Sequence, residues 1–290
     1  MNTSHFASAR RRLSAACARS GRRTALGLAL VSSAAAFGAS SAQAATGPYS
    51  VSFSEPSDLL QHTVYRPSNG PGGGTMPVLL WGEGGCVANG ILYKDFLTEI
   101  ASHGILVIAS GAPGQIGGTN SYFMDRGIDW AKAQNVKPGG SLAGKLDPTH
   151  VTVAGHSCGG LEAYQVAARR SEVAAIGIMN SGQLTVDQNQ LNNLKSPILY
   201  VLGGSGDVAY SNGVRDFGKI PSTLPAFLGS SPTGHFGTYW NQNGGIYSQI
   251  LKDWILWRIK GNATSGARFT GNPCGLCIVP SWTVQRRNIS

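Results

Sequence analysis

Charge is scarce in this 290-residue chain, where Asp, Glu, Lys and Arg make up 13% of residues. A disordered chain would carry more charge and fewer apolar residues than the 42% found here, so disorder is excluded. Acids and lysines are missing altogether from residues 1–44, which instead hold six arginines: Arg10, Arg11, Arg12, Arg19, Arg22 and Arg23. Without that segment 17 basic residues face 14 acidic ones, and the formal net charge falls from +9 to +3. The basicity belongs to the N-terminal segment, and the rest carries no nucleic-acid footprint. Beyond the run Thr24 to Phe37, no stretch is apolar enough to cross a bilayer. Repeats, linkers and a second core are also missing, so one large domain is expected. Cysteine is rare: Cys17 lies in the first segment, and Cys86, Cys158, Cys274 and Cys277 follow. Cys274 and Cys277 have redox-motif spacing, but no βαβ unit surrounds them and no further zinc ligands lie nearby. They read as a small disulfide clip.

What is present begins with an export signal over residues 1–44. An arginine-rich start precedes the apolar run, and Ala42-Gln43-Ala44 offers a cleavage site. Arg22-Arg23-Thr24-Ala25-Leu26 fits a twin-arginine signal as well as a general secretory one. The mature chain, residues 45–290, is expected outside the cytoplasm, secreted or periplasmic and without stable membrane anchoring. Four cysteines in such a compartment imply two disulfides, with three connectivities open.

Strand and helix patterns then alternate. Strands are expected at Gln61 to Arg66, Pro77 to Trp81, Ile105 to Ala109, Val151 to Ala154, Val173 to Met179, Pro197 to Leu202 and Leu224 to Leu228. Helices are expected at Tyr93 to His103, Tyr122 to Gln134, Leu161 to Arg170 and Gly245 to Lys260, with Pro67 to Thr75 a Pro/Gly-rich turn. Continuous apolar runs such as Ile105-Leu106-Val107-Ile108-Ala109 mark strands covered on both faces. The fold class is therefore α/β, a mostly parallel, doubly wound sheet with helices on both faces.

Within that pattern Gly155-His156-Ser157-Cys158-Gly159 joins a β-branched run to a helix. Gly-x-Ser-x-Gly recurs by chance in a chain with 40 glycines, but strand, sharp turn and helix are the context that makes it a nucleophile elbow. Ser157 is then exposed above the sheet, near helix N–H groups that favour negative charge. A serine hydroxyl needs a base, and the base needs an acid that fixes its tautomer. In this arrangement the chain order is Ser, then Asp or Glu, then His. His62, His103 and His150 precede the serine and read as surface or capping residues, and His156 as a space-filler beside the elbow. His235, the one histidine after Ser157, is the expected base. Asp207, just past the Pro197 to Leu202 strand, is the expected acid, with Asp187 in reserve and Asp216 less suited by its segment. One oxyanion donor is expected at Cys158 N–H and a second in Gly84-Gly85-Cys86, at Gly85 or Cys86. Cys86 and Cys158 would then meet at the same site, so a Cys86–Cys158 disulfide is expected beside Cys274–Cys277. Phe236, Tyr239 and Trp240 are expected either to line an acyl pocket or to be core.

These residues resemble the α/β-hydrolase superfamily. Lys145 through Gly160 is similar to the segment leading into the nucleophile of secreted bacterial polyester hydrolases, cutinases and triacylglycerol lipases, and Gly234-His235-Phe236 resembles their histidine loop. The resemblance covers roughly residues 49–260 and implies Ser157 as nucleophile, Asp207 as acid and His235 as base. Cys158 stands where those enzymes usually carry methionine. Asn180-Ser181-Gly182 replaces a tryptophan-bearing loop. Trp81 through Cys86 together with Gly155 through Ala163 looks more like another group of secreted α/β-hydrolases in fungi and bacteria. A secreted serine hydrolase is expected, cleaving small-molecule or polymeric carboxylic esters through an acyl-enzyme with no cofactor and no metal. A peptidase or acyltransferase with the same triad, or a binding protein on a hydrolase scaffold, remains open at this stage because fold does not fix function.

Overall fold

Apolar strands decide the architecture. In the computed structural model, which describes residues 45–68 and 74–289, nine strands form one mixed sheet. They are β1 (Val51–Ser54), β2 (His62–Pro67), β3 (Met76–Gly82), β4 (Leu106–Ser110), β5 (Leu146–His156), β6 (Val173–Met179), β7 (Ile198–Leu202), β8 (Ala226–Ser230) and β9 (Thr283–Arg287). The order is β1-β2-β4-β3-β5-β6-β7-β8-β9. From β4 to β8 all neighbours pair in parallel, and the antiparallel pairs lie at the two ends. The export-signal expectation over residues 1–44 and the middle of the Pro67 to Thr75 turn lie outside the described residues.

The period of two along each strand sorts side chains between two cores. Val78 and Leu80 of β3 join one core with Val151, Val153, Ile176, Ile178 and Tyr200. Leu79 and Trp81 join the other with Val107, Ala154, Met179, Leu199 and Val201. The first core is covered by α2 (Ser121–Val136), α3 (Cys158–Ala167), α4 (Gln188–Asn192) and α5 (Tyr210–Lys219). The second is covered by α1 (Lys94–Ser102) and α6 (Gly245–Lys260), with the short α7 (Ala263–Gly266) packed on α6. The helix ends follow local chemistry: Asn120 caps α2 by accepting from Tyr122 N–H, and Gly261 ends α6 at φ 66°.

Three of the differences from the sequence expectation have a local reason. First, α3 starts at Cys158 rather than Leu161. Glycine is a poor helix former, so Gly159-Gly160 read as turn, yet close packing requires both of them inside the first helical turn. Second, β8 starts at Ala226 rather than Leu224, because Pro225 has no N–H to give the ladder. Third, the C-terminal segment is more than a clipped tail. β9 pairs antiparallel with β8 at the sheet edge, and Leu276 and Trp282 lie against Gly229. Thr-Val-Gln-Arg-Arg lacks the apolar run that marks a central strand, and the same half-solvated character hid β1.

Candidate active site

The parallel strands point their C-terminal ends at one edge, and the loops leaving that edge carry the polar groups. β5 ends at His156, and Ser157 follows at φ 51°, ψ −113°, a backbone that L-residues rarely adopt. Close packing holds the turn: a Cβ on Gly155 would lie 2.3 Å from Gly159 C, and one on Gly159 would lie 2.1 Å from Gly82 O. Ser157 N–H donates to Met179 O at 3.0 Å, and Ser181 Oγ donates to Ser157 O at 2.6 Å. The side chain is left as the free part of the residue.

Three residues from three loops meet there. Ser157 Oγ lies 2.9 Å from His235 Nε2, and His235 Nδ1 lies 2.6 Å from Asp207 Oδ1. Asp207 follows β7 and its side chain is fully buried. Burial pushes its pKa up, but hydrogen bonds from Ala209 N–H, His235, Asn180 and Gly203 N–H outweigh it and hold the carboxyl below its ordinary value. Asp207 is thus a carboxylate whose acceptor oxygens are filled, and a carboxylate opposite Nδ1 requires N–H there. Nε2 is then the hydrogen-bond acceptor for Ser157 Oγ–H. The other two aspartates lie elsewhere. Asp187 caps α4, accepting from Gln190 N–H at 2.9 Å. Asp216, in α5, accepts from Gln183 N–H, Tyr164 and Arg215.

Cys86 and Cys158 are disulfide-bonded, with Cα atoms 5.2 Å apart, and the Cys274–Cys277 disulfide lies in the C-terminal segment. The first bond ties the Gly84–Cys86 turn to the first residue of α3. Gly85 and Cys86 both have positive φ, at 66° and 48°. Cys158 N–H, at the helix start, has no intrahelical acceptor. On the far side of the turn, Thr119 N–H donates to Cys86 O at 2.7 Å, and Thr119 Oγ1 donates to Glu162 Oε1 at 2.8 Å.

Glu162 and Glu83 are carboxyls buried behind this turn, and each has one oxygen without a hydrogen-bond partner among the described residues. Burial raises Glu162 to about 7, opposed in part by Thr119, and raises Glu83 well above the ordinary range despite the bond from Trp81. A carboxyl whose folded pKa is raised binds its proton more tightly folded than unfolded. It therefore withdraws stability as pH rises from the unfolded value near 4.5 through about 7. Glu162→Gln keeps an acceptor for Thr119 and removes the titration. We expect this variant to melt several degrees above wild type at pH 8 and close to it at pH 5, as thermal melts across that range would show.

A pocket of about 200 Å³ opens beside Ser157, lined by Leu161, Leu184, Val208, Ala209 and Asn212, with Ser157 and His235 at its mouth. Phe236 and Trp240 do not line it. They pack against each other at 5.9 Å on the surface, while Tyr239 is core. Of the two alternatives for these aromatics, core holds for Tyr239 and the acyl pocket for none of the three; the pocket is built from α3 and the segments after β6 and β7.

Sequence reasoning missed Asn180, which donates to Asp207 Oδ2 at 2.9 Å and to Gly234 O at 3.0 Å, and accepts from Tyr239 at 2.8 Å. Its place directly after β6 was the available signal. His62, expected as a surface or capping residue, is buried, its ring nitrogens against Leu60 O and Phe123 O.

Comparison with known families matches residues 32–236 to the family described as PETase, PET hydrolase-like. The matched span holds Ser157, Asp207 and His235. No curated protein matches the chain significantly.

Proposed function

The chain belongs to the PET hydrolase-like family of α/β-hydrolases, and from that premise we propose that it is a secreted serine hydrolase cleaving carboxylic esters through an acyl-enzyme. The observation that carries this is the continuous hydrogen-bonded line from Ser157 Oγ through His235 to the buried Asp207 carboxylate, at the mouth of an apolar pocket. His235 takes the serine proton as Oγ bonds to the acyl carbon, and Asp207 steadies the imidazolium. The carbonyl oxygen becomes an oxyanion held by Cys158 N–H and by Cys86 or Gly85 N–H, each donor worth roughly 3–4 kcal/mol of barrier. His235 then protonates the departing alkoxide. Water repeats the sequence on the acyl-enzyme and releases the acid.

In this proposal residues 1–44 direct export and 45–290 form the catalytic domain. Two disulfides suit an oxidising compartment, and among the described residues no helix is long and apolar enough to cross a membrane. No cofactor enters the chemistry.

The pocket size points to a compact acyl group. At about 200 Å³ it is below the roughly 300–1,000 Å³ that encloses a drug-sized ligand. It is open, with Leu184 and Val208 both more than three-quarters exposed at its rim. Short acyl chains fit inside, and an extended polyester could lay one acyl unit in the pocket with the remainder outside. Across p-nitrophenyl esters from acetate to palmitate, kcat/KM is expected to peak at the short end and to fall at least roughly tenfold by palmitate. A maximum at palmitate would contradict a compact acyl site.

A further inference from the structure

Two buried side chains outside the Ser157–His235–Asp207 line connect the halves of the site. His156 Nε2 lies 2.8 Å from the backbone oxygen of His235. A carbonyl can only accept, so Nε2 carries the proton. His156 Nδ1 then accepts, and Tyr93 donates its phenolic proton to it at 2.6 Å. The same phenol oxygen lies close against the backbone of Gly84, the first residue of the turn expected to carry an oxyanion donor. Gly84 must be glycine for this approach: a Cβ there would lie 2.4 Å from both Tyr93 Oη and His156 Nδ1. Tyr93 and His156 are both buried, and neither lines the pocket beside Ser157.

We propose that Tyr93 and His156 are positioning residues that hold the base loop and the oxyanion turn in one register, through the Gly84 backbone packed on Tyr93 Oη and the hydrogen bonds from Tyr93 Oη to the His156 ring and from that ring to His235 C=O. This rests on Ser157 being the nucleophile. Two consecutive carbonyls of the base loop are gripped by buried side chains: Gly234 O by Asn180 and His235 O by His156. Asn180 ties the loop to the acid, and His156 ties it to the elbow. The imidazole of His235 is fixed at its two nitrogens by Asp207 and Ser157, but the bond to Ser157 must break as the proton is transferred. The backbone bond from His156 need not, so it keeps the ring in place while the proton moves. Misplacement by about 1 Å costs on the order of 100-fold in rate, which is the scale on which such a brace acts. His156 and Tyr93 do not touch substrate in this role, so their loss is read in kcat and not in KM.

The test compares Tyr93→Phe, His156→Leu, His156→Gln and the Tyr93→Phe/His156→Leu double variant. Readouts are kcat and KM on p-nitrophenyl butyrate, the rate of inactivation by a fluorophosphonate, and Tm. His156→Leu is expected to lower kcat and the inactivation rate roughly 10–100-fold at unchanged KM. His156→Gln, whose amide can donate to His235 O, should recover most of that loss. Tyr93→Phe removes one oxygen, folds, and should cost roughly 3–10-fold in both rates. The double variant should be no slower than His156→Leu, because the two residues act in series. Wild-type rates for Tyr93→Phe, or losses that multiply in the double variant, would overturn the proposal while leaving the nucleophile intact. Failure of the fluorophosphonate to label the wild-type protein would instead sink the nucleophile, and the relay with it.

Discussion

Ser157→Ala is expected to lower kcat/KM on a p-nitrophenyl ester by roughly 10⁵–10⁶-fold, the scale on which loss of a triad nucleophile is felt. What survives would come from the oxyanion donors and the pocket acting on water. The fold should not notice the change. Among the described residues the Ser157 hydroxyl has one hydrogen bond, to His235, and the strained φ of 51° is imposed by Gly155 and Gly159 packing against α3 and β3 rather than by the side chain. Alanine meets the same strain and leaves no buried donor unpaired, so Tm should stay within a degree or two of wild type. A large activity loss accompanied by a large drop in Tm would point to a structural serine. Turnover near the wild-type rate would exclude the mechanism.

Asp207→Asn should cost roughly 10⁴-fold in kcat while preserving shape, as loss of the acid does when it leaves the base in the wrong tautomer. The surroundings of Asp207 make the reason specific. Its oxygens accept from His235 Nδ1–H, Asn180 Nδ2, Gly203 N–H and Ala209 N–H. An asparagine amide placed there has one oxygen for four donors, and its NH₂ must face one of them. If it faces His235, Nδ1 must accept, Nε2 carries the proton, and Ser157 loses its base. If it faces Asn180 or the backbone, a buried donor is left unsatisfied at a cost of about 1–3 kcal/mol. The variant should therefore lose activity and some stability together, and kcat should recover partially at high pH as hydroxide substitutes for the general base. A change in kcat of less than tenfold would show that Asp207 only caps the turn after β7.

How much of this could be read from the chain depends on the range of the interaction. β3, β4, β6, β7 and the Val151 to Ala154 part of β5 were legible because they are buried on both faces and mostly apolar, whereas the start of β5, Leu146-Asp147-Pro148-Thr149-His150, is polar and partly exposed and was not. The edge strands β1 and β9 were not, since Val-Ser-Phe-Ser and Thr-Val-Gln-Arg-Arg face solvent and look like loop. The elbow was legible because Gly155, Ser157 and Gly159 sit at fixed spacing between a strand and a helix. Asp207 and His235 could be narrowed by chain order and by their places after strands. Asn180 shares that place after a strand, but its role, like those of Tyr93 and Thr119, lies in a partner far away in sequence: Asp207 for Asn180, His156 for Tyr93, Glu162 for Thr119. His156 illustrates the limit. Chain geometry aims it away from Ser157 Oγ, which made it look idle, while its partner is the backbone of a residue 79 positions further on. The walls of the pocket were hidden for the same reason. Phe236 and Trp240 are near His235 in sequence, whereas Leu184 and Val208 reach it only through the fold.

The most direct test of the account is covalent labelling with a fluorophosphonate followed by peptide mass mapping, on wild type, Ser157→Ala and His235→Ala. One equivalent of label on Ser157, absent from Ser157→Ala and formed far more slowly in His235→Ala, is the predicted result. Label on another residue, label retained by Ser157→Ala, or a wild-type protein that takes no label would contradict a serine nucleophile activated by His235.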